Sequence, residues 1–333
     1  MKKYLLFSLI LLLSVSCKDH FSLTVLSDEE IDPIYIQRFD KEFFIQIENE
    51  GCSDFAVIQR NYPEFFSVYV ESVLGVSSVD SVGYERALFD YFANPDIRQL
   101  YWDTLLLYDD IEDIQSELSR AVSILHSYIP SMNLPAFYAH VSGLNQSVVV
   151  GDDFISLSLD KYLGNDYPFY QASFYSYERR CMNSHHIVKD YLAAWYYSNY
   201  SCNGEKGMLI DHIIYYGRLY YLYSLLFPKK NEQEIMDFTN SEMKWFEKNE
   251  AHLWTSLVND HKLFQTDPLF ASKLLGNASF SLFALGTVPG KAGIWLGYKI
   301  VKSYVASGNV TELDDLLSER NYRRILEKSK YNP

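Results

Sequence analysis

Apolar positions recur at three- and four-residue spacing along most of this chain. In IEDIQSELSRAVSILHSYI, residues Ile114, Leu118, Val122, Leu125 and Ile129 fall on one face, and Pro130 follows. That spacing predicts a helix that stops at the proline. From Asp54 to Gly75 and from Ser81 to Phe92 the same period is interrupted by Pro63 and Gly83, which predicts short amphipathic helices. Upstream, DPIYIQRFDKEFF reads as a strand passing into a helix, with Ile34, Ile36 and Phe39 on the apolar side.

The texture changes between about residues 135 and 160. PAFYAHVSGLNQSVVVGDDFISLSLDKYLG holds three short runs rich in β-branched and aromatic residues, separated by the turn-forming SGLN and GDD. A small antiparallel sheet is expected there. After Gly164 helical spacing returns and continues, over 165–330, to near the end of the chain. Thr239 and Glu242 form a capping box ahead of SEMKWFEKNEAHLWTSLV, and Thr311 reads as the N-cap of ELDDLLSERNYRRIL. No repeat, low-complexity tract or linker divides the sequence. The expectation is one α+β domain over 33–333, mainly helical, with its small antiparallel sheet in the middle.

The N-terminus departs from this pattern. MKKYLLFSLILLLSVSCKDH opens with two lysines and a short apolar run, Tyr4 to Leu13, well below the roughly 20 residues that span a bilayer. Small residues lead into Cys17. This resembles a lipoprotein signal (1–16) with lipid on Cys17 and a tether over 17–32, although Ser14 stands where such signals carry a larger aliphatic residue. The plain alternative is a cleaved signal peptide with an incidental cysteine. A lipid anchor places the protein in a bacterial envelope, at the outer membrane, on either its periplasmic or its surface side.

Charge narrows the partners. The 333 residues carry a formal net charge of −14, so phosphate backbones repel the chain and nucleic acid is not an expected partner. There are 28 Tyr and 21 Phe. Such aromatic content serves either core packing with wet hydroxyls or a groove for sugar or peptide. Cys52, Cys181 and Cys202 make an odd number for an exported chain. Cys181 and Cys202 could pair, but buried free thiols are the expected state.

The stretch CMNSHHIVKDYLAAWYY places two histidines at the start of a helix after the small sheet. HExxH zinc peptidases need imidazoles at i and i+4, a glutamate beside the first, and a third ligand from the next helix. Counting from His185, Lys189 falls at the second ligand position, where its cation repels a metal. From His186, Asp190 falls there, but Ile187 replaces the catalytic glutamate. Where a third-ligand glutamate precedes glycine, this chain has Tyr216 before Gly217. Ligands and base are missing together, so no catalytic residue, metal or cofactor is expected. The remnant cleft is expected to be lined by His185, His186, Asp190, Tyr215, Tyr216 and Lys291. His126, His140, His252 and His261 stand singly and are read as packed or solvated. Asp152, Asp153, Asp160 and Asp166 lack the EF-hand order and are read as turns. No nucleophile elbow is present, and VPGKAGIWLG lacks phosphate-loop spacing.

Four motifs in order, DKYLGNDYPFY, IIYYGRLYYLYSLLFP, KWFEKNEAHLWTSLV and PGKAGIWLGYKIVKSYV, resemble the gliding-motility lipoprotein B (GldB) family of the Bacteroidetes. The resemblance covers roughly Phe154 to Val305, about half the chain. The resemblance implies an envelope lipoprotein used in gliding motility and linked to type IX secretion, on a fold distantly similar to HExxH metallopeptidases, hence zincin-like. Relatives often carry an arginine and a polar amide where this chain has Lys291 and Ile294. Three functions remain open at this point: a non-catalytic lipoprotein acting on envelope proteins through protein contacts, a working zinc metallopeptidase with ligands such as His186, Asp190 and His212, or a surface glycan-binding lipoprotein.

Overall fold

Strand β1 (Ile36–Gln37) passes through Arg38 into helix α1 (Phe39–Glu48), as the sequence predicts. The computed structural model describes residues 26–27, 30–49, 51–76, 78–202, 207–282 and 285–333. The expected signal peptide, Cys17 and the tether before residue 26 lie outside the described residues. Helices α2 (Phe55–Asn61) and α3 (Pro63–Val68) follow, the latter continuing as a π-turn over Tyr69–Val73. Pro63 sits in the first turn of α3, where its missing N–H is not needed. Next come α4 (Tyr84–Phe92), α5 (Pro95–Leu107) and α6 (Glu112–Tyr128). Gly83 takes φ +89° at the start of α4, a left-handed geometry that glycine adopts freely. In α6 the expected stripe of Leu118, Val122 and Leu125 is buried, and Ile129 closes it.

Strands β2 (Ala136–His140), β3 (Val148–Val150) and β4 (Phe154–Ser158) fill the predicted window. The sheet order is β1-β2-β4-β3. Antiparallel pairing holds for β3 and β4, joined through Gly151–Asp153. The remaining pairs are parallel, with Phe137 opposite Ile155 and Ile36 opposite Phe137. The sheet is therefore mixed. Strand β1 reaches β2 from about a hundred residues away, and no local pattern encodes a pairing over that distance.

Each sheet face carries its own core. Val141, Val149 and Phe154 pack against an aromatic layer drawn from α1 to α5. There Phe39 meets Tyr62, Phe65 and Tyr69 edge-on, at centroid distances of 5.1, 4.7 and 4.8 Å, an arrangement aromatic quadrupoles favour. Phe137, Ala139, Ile155 and Leu157 face the other way, toward α6 and the second half of the chain. Residue alternation along β2 and β4 thus divides one short sheet between two layers of helices.

The second half comprises α7 (Pro168–Ser173), α8 (Ser176–Arg179), α9 (Ile187–Asn199), α10 (Leu209–Leu226), α11 (Glu232–Met236), α12 (Asn240–Asn259) and α13 (Pro268–Leu275). A hairpin of β5 (Phe280–Leu282) and β6 (Gly286–Val288) interrupts the expected all-helical run before α14 (Ala292–Ala306). The Thr239 box forms: its Oγ1 accepts from the Glu242 N–H at 3.2 Å, and Glu242 accepts from the Thr239 N–H at 2.7 Å. The single helix expected after Thr311 is instead two, α15 (Leu313–Ser318) and α16 (Tyr322–Ser329). Asn321 rather than Thr311 supplies a side-chain cap, accepting from the Arg324 N–H at 2.9 Å. The class is the expected one, α+β and mainly helical.

Candidate functional site: a tyrosine-walled cavity beside a lysine-capped helix

Helical spacing puts Asp190, Ala193, Ala194 and Tyr197 on one stripe of α9, and Tyr216, Leu219, Tyr220 and Tyr223 on one stripe of α10. The two stripes, with Val148 and Val150 of β3, Asn277 and Ile294, line a cavity of about 660 Å³. Ala193 and Ala194 leave the space that larger side chains would fill, and the phenol rings wall it. Asp190 is half-buried and accepts a hydrogen bond from the Tyr162 hydroxyl at 2.7 Å. Burial pushes its carboxyl up to about 6; the Tyr162 bond opposes this and the Asp237 charge adds to it.

Next to the cavity lies a second cluster. Helix α11 ends on Asp237, which takes the left-handed conformation at φ 56°. Lys189 donates to the carbonyls of Glu234 and Ile235, both at 3.1 Å, and to Asp237 Oδ1 at 2.6 Å. Lys291 donates to the Met236 carbonyl at 3.0 Å and to Asp237 Oδ2 at 3.2 Å. Two buried ammonium groups therefore cap the open carbonyls of one helix end, where cations are favoured, and one carboxylate offsets them. Burial alone would raise the Asp237 carboxyl, but Lys291 and Lys189 hold it below its ordinary value. Burial pulls Lys189 below the usual lysine range, against the pull of Asp237. His186 Nε2 lies 3.8 Å from Asp237 Oδ1, yet burial pushes this imidazole down to about 4. It is neutral at pH 7, so the contact is not an ion pair.

Of the six residues expected around a remnant cleft, Asp190 and Tyr216 line the cavity, and His186 and Lys291 join the capping cluster. His185 is exposed at the helix start. Tyr215 is buried and donates to the Tyr200 carbonyl at 2.7 Å, outside the cavity lining. The pattern missed Asp237, which pairs with both lysines. Its only sequence signal was indirect, because a buried lysine at position 189 requires a counter-charge from somewhere.

The proposed ligands His186, Asp190 and His212 do not converge. Tyr223 donates to the Lys189 carbonyl at 2.8 Å at one end of the helix pair. His212 lies eleven residues before Tyr223 along α10, which is roughly 16 Å at the α-helical rise. Its Nδ1 faces Cys202 Sγ at 3.4 Å. Among the described residues, no group of three or more His, Cys, Asp or Glu side chains is placed to hold a metal ion. Asp160, read as a turn residue, is buried and accepts from the N–H groups of Ser142 and Leu144 at 3.0 and 2.7 Å, pinning the β2–β3 turn. Cys181 and Cys202 are half-buried and Cys52 is exposed, and none of them is in a disulfide, so the possible bridge is not formed.

Gly217 also has a packing role. A Cβ there would overlap the backbone of Gly297, so α10 and α14 meet main chain to main chain. The neighbouring Arg218 is buried and donates to the carbonyls of Leu316, Leu317 and Glu319 at 3.0, 2.7 and 2.9 Å, gathering the end of α15.

Fold and site define a mainly helical α+β protein whose central helix pair carries a tyrosine-walled cavity beside a lysine-capped helix end. The chain belongs to the gliding-motility lipoprotein B family: the family model described as gliding motility protein GldB matches residues 24–333. The resemblance carried by motifs in the second half thus extends over the first half as well. No curated protein and no solved structure matches the chain. Among the described residues no helix is long and apolar enough to cross a membrane.

Proposed function

We propose that this chain is a lipid-anchored envelope lipoprotein, held through Cys17, that serves gliding motility or type IX secretion-related assembly by contacting envelope proteins and does not hydrolyse peptides. The observation that carries this reading is the commitment of Lys189. In an HExxH register counted from His185 it stands at a metal-ligand position, yet its ammonium is used up on the end of α11 and on Asp237. The other register, from His186, has Ile187 in place of the base, and Ile187 is fully buried. These positions serve packing and helix capping on a zincin-like scaffold whose metal site is degenerate.

Two measurements test the reading together. Elemental mass spectrometry on the chain purified without a metal-binding tag is expected to show no stoichiometric zinc. His185→Ala and His186→Ala variants, returned to a strain lacking the gene, are expected to restore its phenotype. A zinc-to-protein ratio near one that is lost in His186→Ala would reinstate the peptidase reading.

A further inference from the structure

The cavity between α9 and α10 has a chemical bias. Four phenol rings, Tyr197, Tyr216, Tyr220 and Tyr223, and one carboxylate, Asp190, line it, and no lysine or arginine does. Aromatic faces are electronegative, so a ring-walled pocket with a carboxylate favours an organic cation. Two of these rings already lie against protein cations. The Lys291 ammonium lies 5.4 Å from the Tyr220 centroid and that of Lys189 lies 5.9 Å from the Tyr223 centroid. Asp237 offsets one of these two charges, and three carbonyls of α11 face the ammonium groups and weaken the field of the other. Tyr162, which is not among the lining residues, engages Asp190 Oδ2, and no protein hydrogen bond to Oδ1 is formed among the described residues.

The position of β3 suggests how such a cation is presented. It is the end strand of the sheet, and its Val148 and Val150 border the cavity. An extended segment that adds to a sheet edge gains main-chain hydrogen bonds and projects alternate side chains into adjoining pockets. The net charge of −14 attracts basic segments over distance.

We infer that the cavity receives a lysine or arginine side chain from an extended peptide segment lying along β3, with the cation held between the tyrosine rings and paired with Asp190. This rests on the protein-contact reading above and adds the chemistry of the partner.

The test uses two labelled peptides, acetyl-Val-Thr-Lys-Thr-Val-amide and its analogue with norleucine for lysine, titrated against the mature chain by fluorescence anisotropy. The lysine peptide is expected to bind at least about tenfold tighter, the size of one desolvated charge-assisted contact. Asp190→Asn, which keeps an acceptor for Tyr162, is expected to erase that preference at an unchanged thermal midpoint. If Asp190→Asn does not fold, Tyr216→Leu takes its place and is expected to weaken only the lysine peptide. Equal binding of both peptides by the wild-type chain would overturn cation recognition while leaving a contact role standing. Binding of neither peptide would overturn the cavity as a peptide site. Neither outcome touches the metal and complementation results that decide between contact protein and peptidase.

Discussion

Replacing Gly217 by alanine tests how α10 and α14 meet. At an unhindered helix position this change gains about 1 kcal/mol, because alanine loses less backbone entropy than glycine. Here the new Cβ would lie 2.6 Å from the Gly297 Cα, whereas ordinary contact begins at 3.4 Å. The obstacle is backbone and cannot rotate away, so the helices must part by about 1 Å, a gap that forfeits a quarter to a half of each dispersion contact. These two helices form the most extensive packing between any pair of elements. Overpacking of well-packed interiors costs about 1–3 kcal/mol, and a main-chain obstacle belongs at the top of that range. Net of the propensity gain, Gly217→Ala should destabilise the chain by about 2 kcal/mol. Urea unfolding of wild type, Gly217→Ala, Gly297→Ala and the double variant measures this. The double variant should lose less than the sum of the singles, since the first methyl already separates the helices. A Gly217→Ala protein about 1 kcal/mol more stable than wild type would refute backbone contact at this crossing.

Three further outcomes follow from the geometry. Asp237→Asn leaves two buried ammonium groups without their carboxylate and should cost about 3 kcal/mol, with part recovered on adding Lys189→Met; unfolding midpoints that match wild type would dismiss the capping cluster. Arg218→Lys offers one nitrogen where Nη1 reaches three carbonyls and Nη2 also donates to the Tyr322 hydroxyl, so about 2 kcal/mol of stability and the hydrogen-exchange protection of residues 313–329 should be lost. His140 is buried, and burial pulls its imidazole down to about 3, against its Gln146 backbone contact. A histidine depressed in the folded state favours unfolding once the unfolded chain protonates near pH 6.5. On passing from pH 7 to pH 5 the wild type should therefore lose about 2 kcal/mol more than His140→Asn, and parallel pH profiles for the two proteins would contradict the buried, neutral histidine.

Local chemistry was legible in the sequence and long-range pairing was not. The α6 stripe, the Thr239 capping box and the strand-to-helix passage at Ile36–Phe39 each depend on residues within a turn or two of one another, and each formed. Strand β1 joins β2 across about a hundred residues, so its parallel register depends on a partner that local periodicity cannot name. The break between α15 and α16 was hidden because Glu319 and Arg320 continue an acceptable helical pattern. Tertiary demand separates the helices there, as Arg218 takes up the carbonyls at the end of α15. At the candidate site the sequence pointed to α9 and named two residues of the cavity lining, Asp190 and Tyr216. It placed Tyr215 with them, although neighbouring residues on a helix point about 100° apart. It missed Asp237, because a non-glycine residue in the left-handed region carries no pattern of its own.

Adjacent positions on α9 serve two different ends. Lys189 and Asp190 diverge by about 100° around the helix. The first turns toward α11, where with Lys291 and Asp237 it ties α9, α11 and α14 together. The second turns into the cavity beside Tyr216 and Tyr220. The Lys189 ammonium, attached covalently to α9, thus joins three helices, and this junction needs no ligand set. Lys189→His alone would not build a metal site, since Asp237 would stay paired with Lys291 and the Glu234 and Ile235 carbonyls of α11 would be left open. Asp190 bonds to Tyr162 and not to that cap, so filling the cavity would not require loosening the junction that holds its walls.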